Sequence, residues 1–261
     1  MNYLEDYYSN YDEEGRLLSQ HGQVEYLTTM KYIHELSEGI SNCRILEVGA
    51  GTGRYNVSLA RQGYSVDAVE LTQHNLEIMR AKINAEDDIR TYQGTATDLS
   101  LFQAESFDMT LVFGPMYHLY TEEDKKKALS EAIRVTKTGG VVMVAYIMND
   151  FVVIKDAFEK GNLKADLKSG LLDENFKYAA WEQELFAFET LDSIHDLIKD
   201  FPVKREKIVA ADGAANYMRD LIDSFDEETF SLWMKFHLAR CERAELIGAT
   251  NHCLDILRKI G

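Results

Sequence analysis

Only two prolines, Pro115 and Pro202, interrupt the 261 residues, and no internal repeat or low-complexity tract marks a linker. The chain therefore reads as one domain with appended segments, long enough to bury a substantial core. Cysteine is scarce as well. Cys43, Cys241 and Cys253 are odd in number and form no CxxC pair, which argues against a disulfide framework or a zinc knuckle and predicts reduced thiols in a cytoplasmic protein. No apolar run approaches the roughly 18 residues that a membrane span needs. The first residues, Met1-Asn2-Tyr3-Leu4-Glu5-Asp6, are acidic and aromatic where a secretory leader would be basic and then apolar. Positive charge is also short: 28 Lys and Arg face 44 Asp and Glu, a net charge of −16. Such a field repels phosphate backbones and anionic lipids, so neither nucleic acid nor a membrane surface is the expected partner, and a homodimer is left open. The densest basic run, Lys125-Lys126-Lys127, follows Glu122-Glu123-Asp124 and is largely cancelled by it.

What the chain does carry is alternating secondary structure. Residues 1–41 read as helical, with Tyr3, Tyr7 and Tyr11 on one face and Leu27, Met30, Ile33 and Leu36 on a second helix. From residue 44 the pattern changes. Short apolar runs predict strands at 44–48, 65–70, 89–93, 107–113 and 141–147, with helices between them at 54–62, 72–84 and 122–137. Leu111-Val112-Phe113 and Val141 to Val144 are apolar without alternation, as strands covered on both faces must be. Strand, helix, strand, repeated, predicts an α/β fold on a mostly parallel sheet. Thr72 and Thr121 are placed to cap their helices, and Gly139-Gly140 to end the third one. Beyond 148 the pattern loosens: helical at 151–160, irregular over 161–180, aromatic over 181–190, then helices at 191–200 and 226–247 and strands at 203–209 and 252–259.

The most informative segment is Glu47-Val48-Gly49-Ala50-Gly51-Thr52-Gly53-Arg54, a buried strand running into three alternate glycines and a helix. Glycines permit a tight turn and let a ligand approach the backbone without meeting a Cβ, while the helix start offers free N–H groups. Arg54 breaks both GxxxxGK[ST] and GxGxxG, so a phosphate-cradling loop and the usual dinucleotide fingerprint both fail. The second strand ends in Glu70, 17 residues after Gly53, where a carboxylate can accept hydrogen bonds from both ribose hydroxyls of a nucleoside. A nicotinamide dinucleotide would use the same acid, so Glu70 argues for adenosine without choosing the cofactor.

Four segments in order resemble the motifs of class I S-adenosylmethionine-dependent methyltransferases: the GxGxG turn with its preceding acid, Gly94 to Leu99, Ser106 to Val112, and Gly139 to Val142. Thr138 stands where the family usually has Pro or Asp before the last of these. The resemblance implies a Rossmann-like seven-stranded sheet of order 3-2-1-4-5-7-6 with helices on both faces. It implies an N-terminal helical cap over residues 1–41, a methyltransferase domain over 42–261, and an insertion after strand 5 at about 150–200. It further implies S-adenosylmethionine as cofactor, with S-adenosylhomocysteine as product, and transfer of a methyl group to a small acceptor by in-line displacement. On this reading Glu47 lies near the amino group of the cofactor, Gly49, Gly51 and Gly53 under its methionine part, and Glu70 on its ribose. Asp98 takes the adenine amino group, and Leu71, Thr97, Leu99 and Phe113 lie around the same cofactor. Asp98 has an alternative use in capping its own turn.

The loop Phe113 to Leu119 falls where donor and acceptor meet, and Gly114 stands where amino-methylating enzymes carry Asp or Asn. Tyr117 can set its π face against a cation or simply pack, and His118 can take a proton from an acceptor or stay neutral and hydrogen-bonded. Strand 4 ends in neither Asp nor Asn, so no metal is expected, and His237 on an apolar stripe reads as core. Tyr7, Tyr11, Arg16 and His21 are the candidate lid and substrate residues, with Trp181 to Phe188 as an opposite wall; the same stripe could serve packing alone. Two other functions stay open: a regulatory protein that binds the cofactor without catalysis, and a nicotinamide-dependent oxidoreductase. RNA methylation is a weaker option, given the charge.

Overall fold

A computed structural model describes residues 3–10, 15, 18–181 and 184–261. Seven strands form one sheet in the order β3-β2-β1-β4-β5-β7-β6. They are β1 (Arg44–Val48), β2 (Ser65–Glu70), β3 (Ile89–Gln93), β4 (Phe107–Val112), β5 (Thr136–Ile147), β6 (Val203–Ala210) and β7 (His252–Lys259). The first five pair in parallel, and β7 runs antiparallel to both β5 and β6. Ile45, Leu46, Val48, Met109, Leu111 and Val142 are all fully buried, because helices cover both faces. One core fills each side: Leu46, Val112 and Leu129 pack in the first, and Ile45, Leu59 and Leu111 in the second. The parallel order reverses between β1 and β4, and their carboxyl ends open the crevice where such sheets bind ligands.

Helices α1 (Tyr3–Asn10) and α2 (Gln20–Ser37) precede the sheet, and α3 (Arg54–Arg61), α4 (Gln73–Lys82) and α5 (Glu122–Val135) are its crossovers. Several boundaries depart from the pattern. Helix α5 stops at Val135, ahead of the two glycines, because Thr136 Oγ1 donates to Ala132 O (2.7 Å) and meets Thr110 Oγ1 (2.7 Å). Gly139 and Gly140 therefore lie inside β5. Thr121 caps α5 as expected, accepting from Asp124 N, whereas the Thr72 hydroxyl caps nothing and donates to Glu70 Oε1 (2.8 Å). The segment after β5 holds α6 (Asn149–Val152), a π-helical turn at Val153–Glu159, α7 (Leu163–Ser169) within the stretch expected to be irregular, and α8 (Leu191–Ile198). A buried Lys125–Glu189 ion pair ties this segment to α5. The long helix expected at 226–247 is broken. After α9 (Arg219–Asp223), α10 (Glu227–Leu238) ends and α11 (Ala244–Ile247) is separate, because Cys241 O accepts from Ala210 N at the end of β6 (2.8 Å). All three cysteines are buried thiols. Among the described residues no helix is long and apolar enough to cross a membrane.

Candidate active site

The turn from β1 into α3 is pinned to the neighbouring strand, with Gly49 N and Ala50 N both donating to Val69 O (2.9 and 3.0 Å). Gly49, Gly51 and Gly53 all have positive φ. At Gly49 the side chain is excluded twice over. Its φ is +79°, and a Cβ there would strike Pro115 Cδ and lie 2.6 Å from Phe113 O, so this turn and the loop after β4 close on one another only through glycine. Glu70, buried at the end of β2, accepts from Gly51 N (2.8 Å) with one oxygen and from Thr72 N and Oγ1 (2.9 and 2.8 Å) with the other. The carboxylate is thus held at the edge of the glycine turn.

Glu47 lies beneath the same turn, fully enclosed. Its Oε2 accepts from Asn56 N (3.0 Å) and Asn56 Nδ2 (2.7 Å). Burial pushes its pKa up to about 8; the Asn56 bonds oppose the rise, and the nearby Glu70 charge adds to it. A carboxyl that holds its proton at neutral pH is poised to ionise when a cation arrives beside it.

These groups line a cleft at the carboxyl edge of the sheet. Gly94 to Ala96 and Leu71 rim one end, and Phe113, Tyr117, His118 and Tyr8 the other. The residues suit an adenosyl sulfonium. Asn75 also lines the cleft, and its buried Oδ1 has no hydrogen-bond partner among the described residues. An α-ammonium beside Glu47 would let that acid ionise, whereas a pyrophosphate at the same turn would meet a buried carboxyl. Arg54 lays its guanidinium 4.3 Å over the Tyr26 ring, on the wall of the cleft.

Other sites proposed from sequence fall differently. Asp98 is exposed, lies off the cleft wall and accepts from Ser100 N (3.0 Å), the turn-capping use, and its pKa is lowered chiefly by that hydrogen bonding to Ser100. Leu99 sits in the core, and Thr97 folds back with its Oγ1 3.1 Å from Thr95 Oγ1. The cleft takes Thr95 and Ala96 instead, because the turn at 95–98 points the later side chains away from it. Phe113 lines the cleft and meets Tyr55 edge-on, with centroids 5.2 Å apart.

His118 is brought to the cleft, and its hydrogen bonds match the second of its two expected uses, a neutral imidazole held by its neighbours. Its Nδ1 donates to Leu185 O (2.8 Å), which leaves Nε2 to accept from Tyr8 OH (2.7 Å). Burial lowers its pKa to about 4. A neutral imidazole with both nitrogens engaged positions Tyr8 better than it removes a proton. Tyr117 stands beside it, and Phe186 closes the cluster, with its ring 5.1 Å from that of His118 and 5.7 Å from that of Tyr7. The aromatic stretch after 180 thus meets the N-terminal helix across the mouth. His21 lines an adjoining cavity and pairs with Asp223 Oδ2 through Nδ1 (2.7 Å). Tyr11 and Arg16 lie outside the described residues.

Tyr8, Asn75, Asp212 and His252 had no signal in sequence, and Glu25 had only its place after His21 on the N-terminal helical face. Glu25 and His252 line the cleft from α2 and from the first residue of β7, and Asp212 follows β6 and bonds His252 Nδ1 (2.9 Å). Their spacing follows no motif, because three remote segments supply them.

Sheet order and the glycine turn give the chain the fold of class I S-adenosylmethionine-dependent methyltransferases. Residues 45–140 match the methyltransferase domain family. The chain is similar to a demethylmenaquinone methyltransferase of Clavibacter sepedonicus, 35% identical over 39% of this chain and 40% of that protein. It is also similar to a glycine/sarcosine N-methyltransferase of Aphanothece halophytica, 28% identical over 39% of each chain. These matches span well under half of each relative. In fold it resembles a SAM-dependent methyltransferase structure from Methanosarcina mazei, with a TM-score of 0.57 and 15% identity over 88% of this chain and 97% of that one.

Proposed function

We propose that the protein transfers the methyl group of S-adenosylmethionine to a small-molecule acceptor held beneath α1, between the loop after β4 and the segment around Phe186. The observation that carries this is the pair of acids at the glycine turn: Glu70 fixed by Gly51 N, and Glu47 buried below it against Asn56. Bound there, the cofactor supplies an electrophilic methyl on a sulfonium. The chain's own residues then have three tasks. Glu70 accepts from the ribose hydroxyls, and Glu47 gives up its proton and faces the ammonium. Leu71 and the 94–96 backbone flank the adenine, in place of Asp98. Tyr7, Tyr8, Tyr117 and Phe186 shed water from the reacting centre and hold the acceptor in line, and the Tyr8–His118 bond fixes that wall. Tyr117 presents a ring to a passing cation. The acceptors in the relatives' names, a quinone and an amino acid, share no shape. That supports the cofactor half as the common element and leaves acceptor choice to the mouth.

Calorimetric titration with S-adenosylhomocysteine and, separately, NADH tests the reading. Saturable binding of the thioether is expected. Glu70→Gln, with its fold checked by circular dichroism, is expected to weaken it about 10- to 100-fold, the loss of charge-assisted hydrogen bonds. Binding of NADH without the thioether would overturn the proposal.

A further inference from the structure

One cation on the cleft wall has no task so far. Arg54 opens α3 directly after Gly53, and among the described residues it is the only lysine or arginine lining the cleft. Its side chain forms no ion pair or hydrogen bond with any described residue, and its Nε is fully buried without a partner. What holds it is the Tyr26 ring, 4.3 Å from the guanidinium. Tyr26 is itself fixed, since its hydroxyl donates to Ser58 Oγ (2.8 Å). With 44 acidic residues to 28 basic ones, carboxylates are plentiful in this chain, yet none of the described ones reaches Arg54.

The Tyr26 ring covers one face of the guanidinium and leaves its N–H edges to find acceptors in their own plane. A buried N–H without an acceptor is costly, and a carboxylate satisfies two such donors at once. A second donor faces the same space. Thr29, three residues and so about one helical turn beyond Tyr26, lines the cleft at 4% exposure, and its hydroxyl has no hydrogen-bond partner among the described residues.

The place of Arg54 indicates which carboxylate it takes. Asn56, whose backbone and side-chain N–H groups hold Glu47, lies two residues further along the same helix. An amino acid carries its ammonium and its carboxylate on one carbon, so it needs receptors of both signs in one corner. A phosphate would also match a guanidinium, but it would crowd against Glu47 and Glu70, which line the same cleft. Resting on the methyl-donor reading above, we propose that Arg54, with Thr29 as a second donor, binds the α-carboxylate of the cofactor's methionine part. Glu47 then faces the ammonium and Arg54 the carboxylate, and charge alone orients the zwitterion. Arg54 belongs to α3, whereas Tyr26 and Thr29 belong to α2, so the bound carboxylate ties the N-terminal helix to the glycine turn.

Calorimetric titration of the full chain, with no acceptor present, compares S-adenosylhomocysteine with its decarboxylated analogue, which keeps the adenosine, the thioether and the amine. Wild type is expected to bind the carboxylated ligand at least about tenfold more tightly. Arg54→Met keeps an apolar stem over Tyr26. It is expected to weaken S-adenosylhomocysteine about 10- to 100-fold and to leave the analogue within about twofold. Arg54→Lys keeps the charge without the planar fork and is expected to lose less than Arg54→Met. Thr29→Val should cost about 3- to 10-fold, again for the carboxylated ligand alone. Equal affinity of wild type for the two ligands would overturn the proposal. So would equal weakening of both by Arg54→Met, since a merely structural arginine would affect both alike. Undiminished binding of S-adenosylhomocysteine by Arg54→Met would overturn it and leave the methyl-transfer reading standing. Failure of wild type to bind either ligand would remove that reading, and the role of Arg54 with it.

Discussion

Gly49 and Gly39 form a controlled pair. Both have φ near +79°, but a Cβ on Gly39 meets nothing within 4 Å, whereas one on Gly49 lies 2.6 Å from Phe113 O and against the Pro115 ring. Alanine at either position carries the left-handed backbone strain, about 1–2 kcal/mol. Only Gly49→Ala adds overpacking against a backbone carbonyl and a ring, neither of which can rotate away, at a further ~1–3 kcal/mol. At roughly 2–4 °C per kcal/mol for a chain near this size, Gly39→Ala should lose a few degrees and Gly49→Ala about twice as much. Thermal unfolding by circular dichroism reads the difference. Titration with S-adenosylhomocysteine should show wild-type affinity for Gly39→Ala and a loss of at least about tenfold for Gly49→Ala, because the widened turn moves Gly51 N from Glu70. Equal melting of the two variants, or wild-type affinity in Gly49→Ala, would refute the idea that the β1 turn and the β4 loop close on one another through glycine.

Three further outcomes follow from the charges. With its pKa near 8, Glu47 is protonated at pH 7, and an arriving ammonium lowers that pKa; S-adenosylmethionine binding should release close to one proton, seen as buffer-dependent heat and absent in Glu47→Gln. His118 is depressed to about 4 by burial, so its contribution is complete above the unfolded value of ~6.5 and is lost as pH falls towards 4. Urea unfolding should therefore show wild type losing about 1–2 kcal/mol more than His118→Gln between pH 6.5 and 5, and parallel losses would count against it. Lys125→Met strands the buried Glu189 carboxylate and should cost about 3–5 kcal/mol in urea, with Lys125→Met/Glu189→Leu recovering most of it. A single-variant cost below about 1 kcal/mol would mean that the pair does not hold the segment after β5.

Most of the sheet was legible because each strand and crossover is a local pattern. Arg44–Val48 and Ser65–Glu70 could be placed by apolar runs and by the residues that end them. The breaks were not legible, since they depend on partners far along the chain. Thr136 stops α5 by reaching Thr110, and Ala210 takes the Cys241 carbonyl that a continuous helix would have kept.

The site divides in the same way. Glu47, the three glycines and Glu70 lie within one strand–turn–helix–strand unit, where spacing alone brings side chains together, so the sequence by itself determined the glycine-turn end of the cleft. Only the tertiary structure decided which imidazole is engaged, which tyrosine closes the mouth, and that Asp98 faces solvent. It alone joined Glu25, Asp212 and His252, because a helix, a loop and a strand edge meet there only when the sheet has formed. Local order is written in neighbouring residues, whereas a cluster drawn from three remote segments exists only through the packing that gathers it.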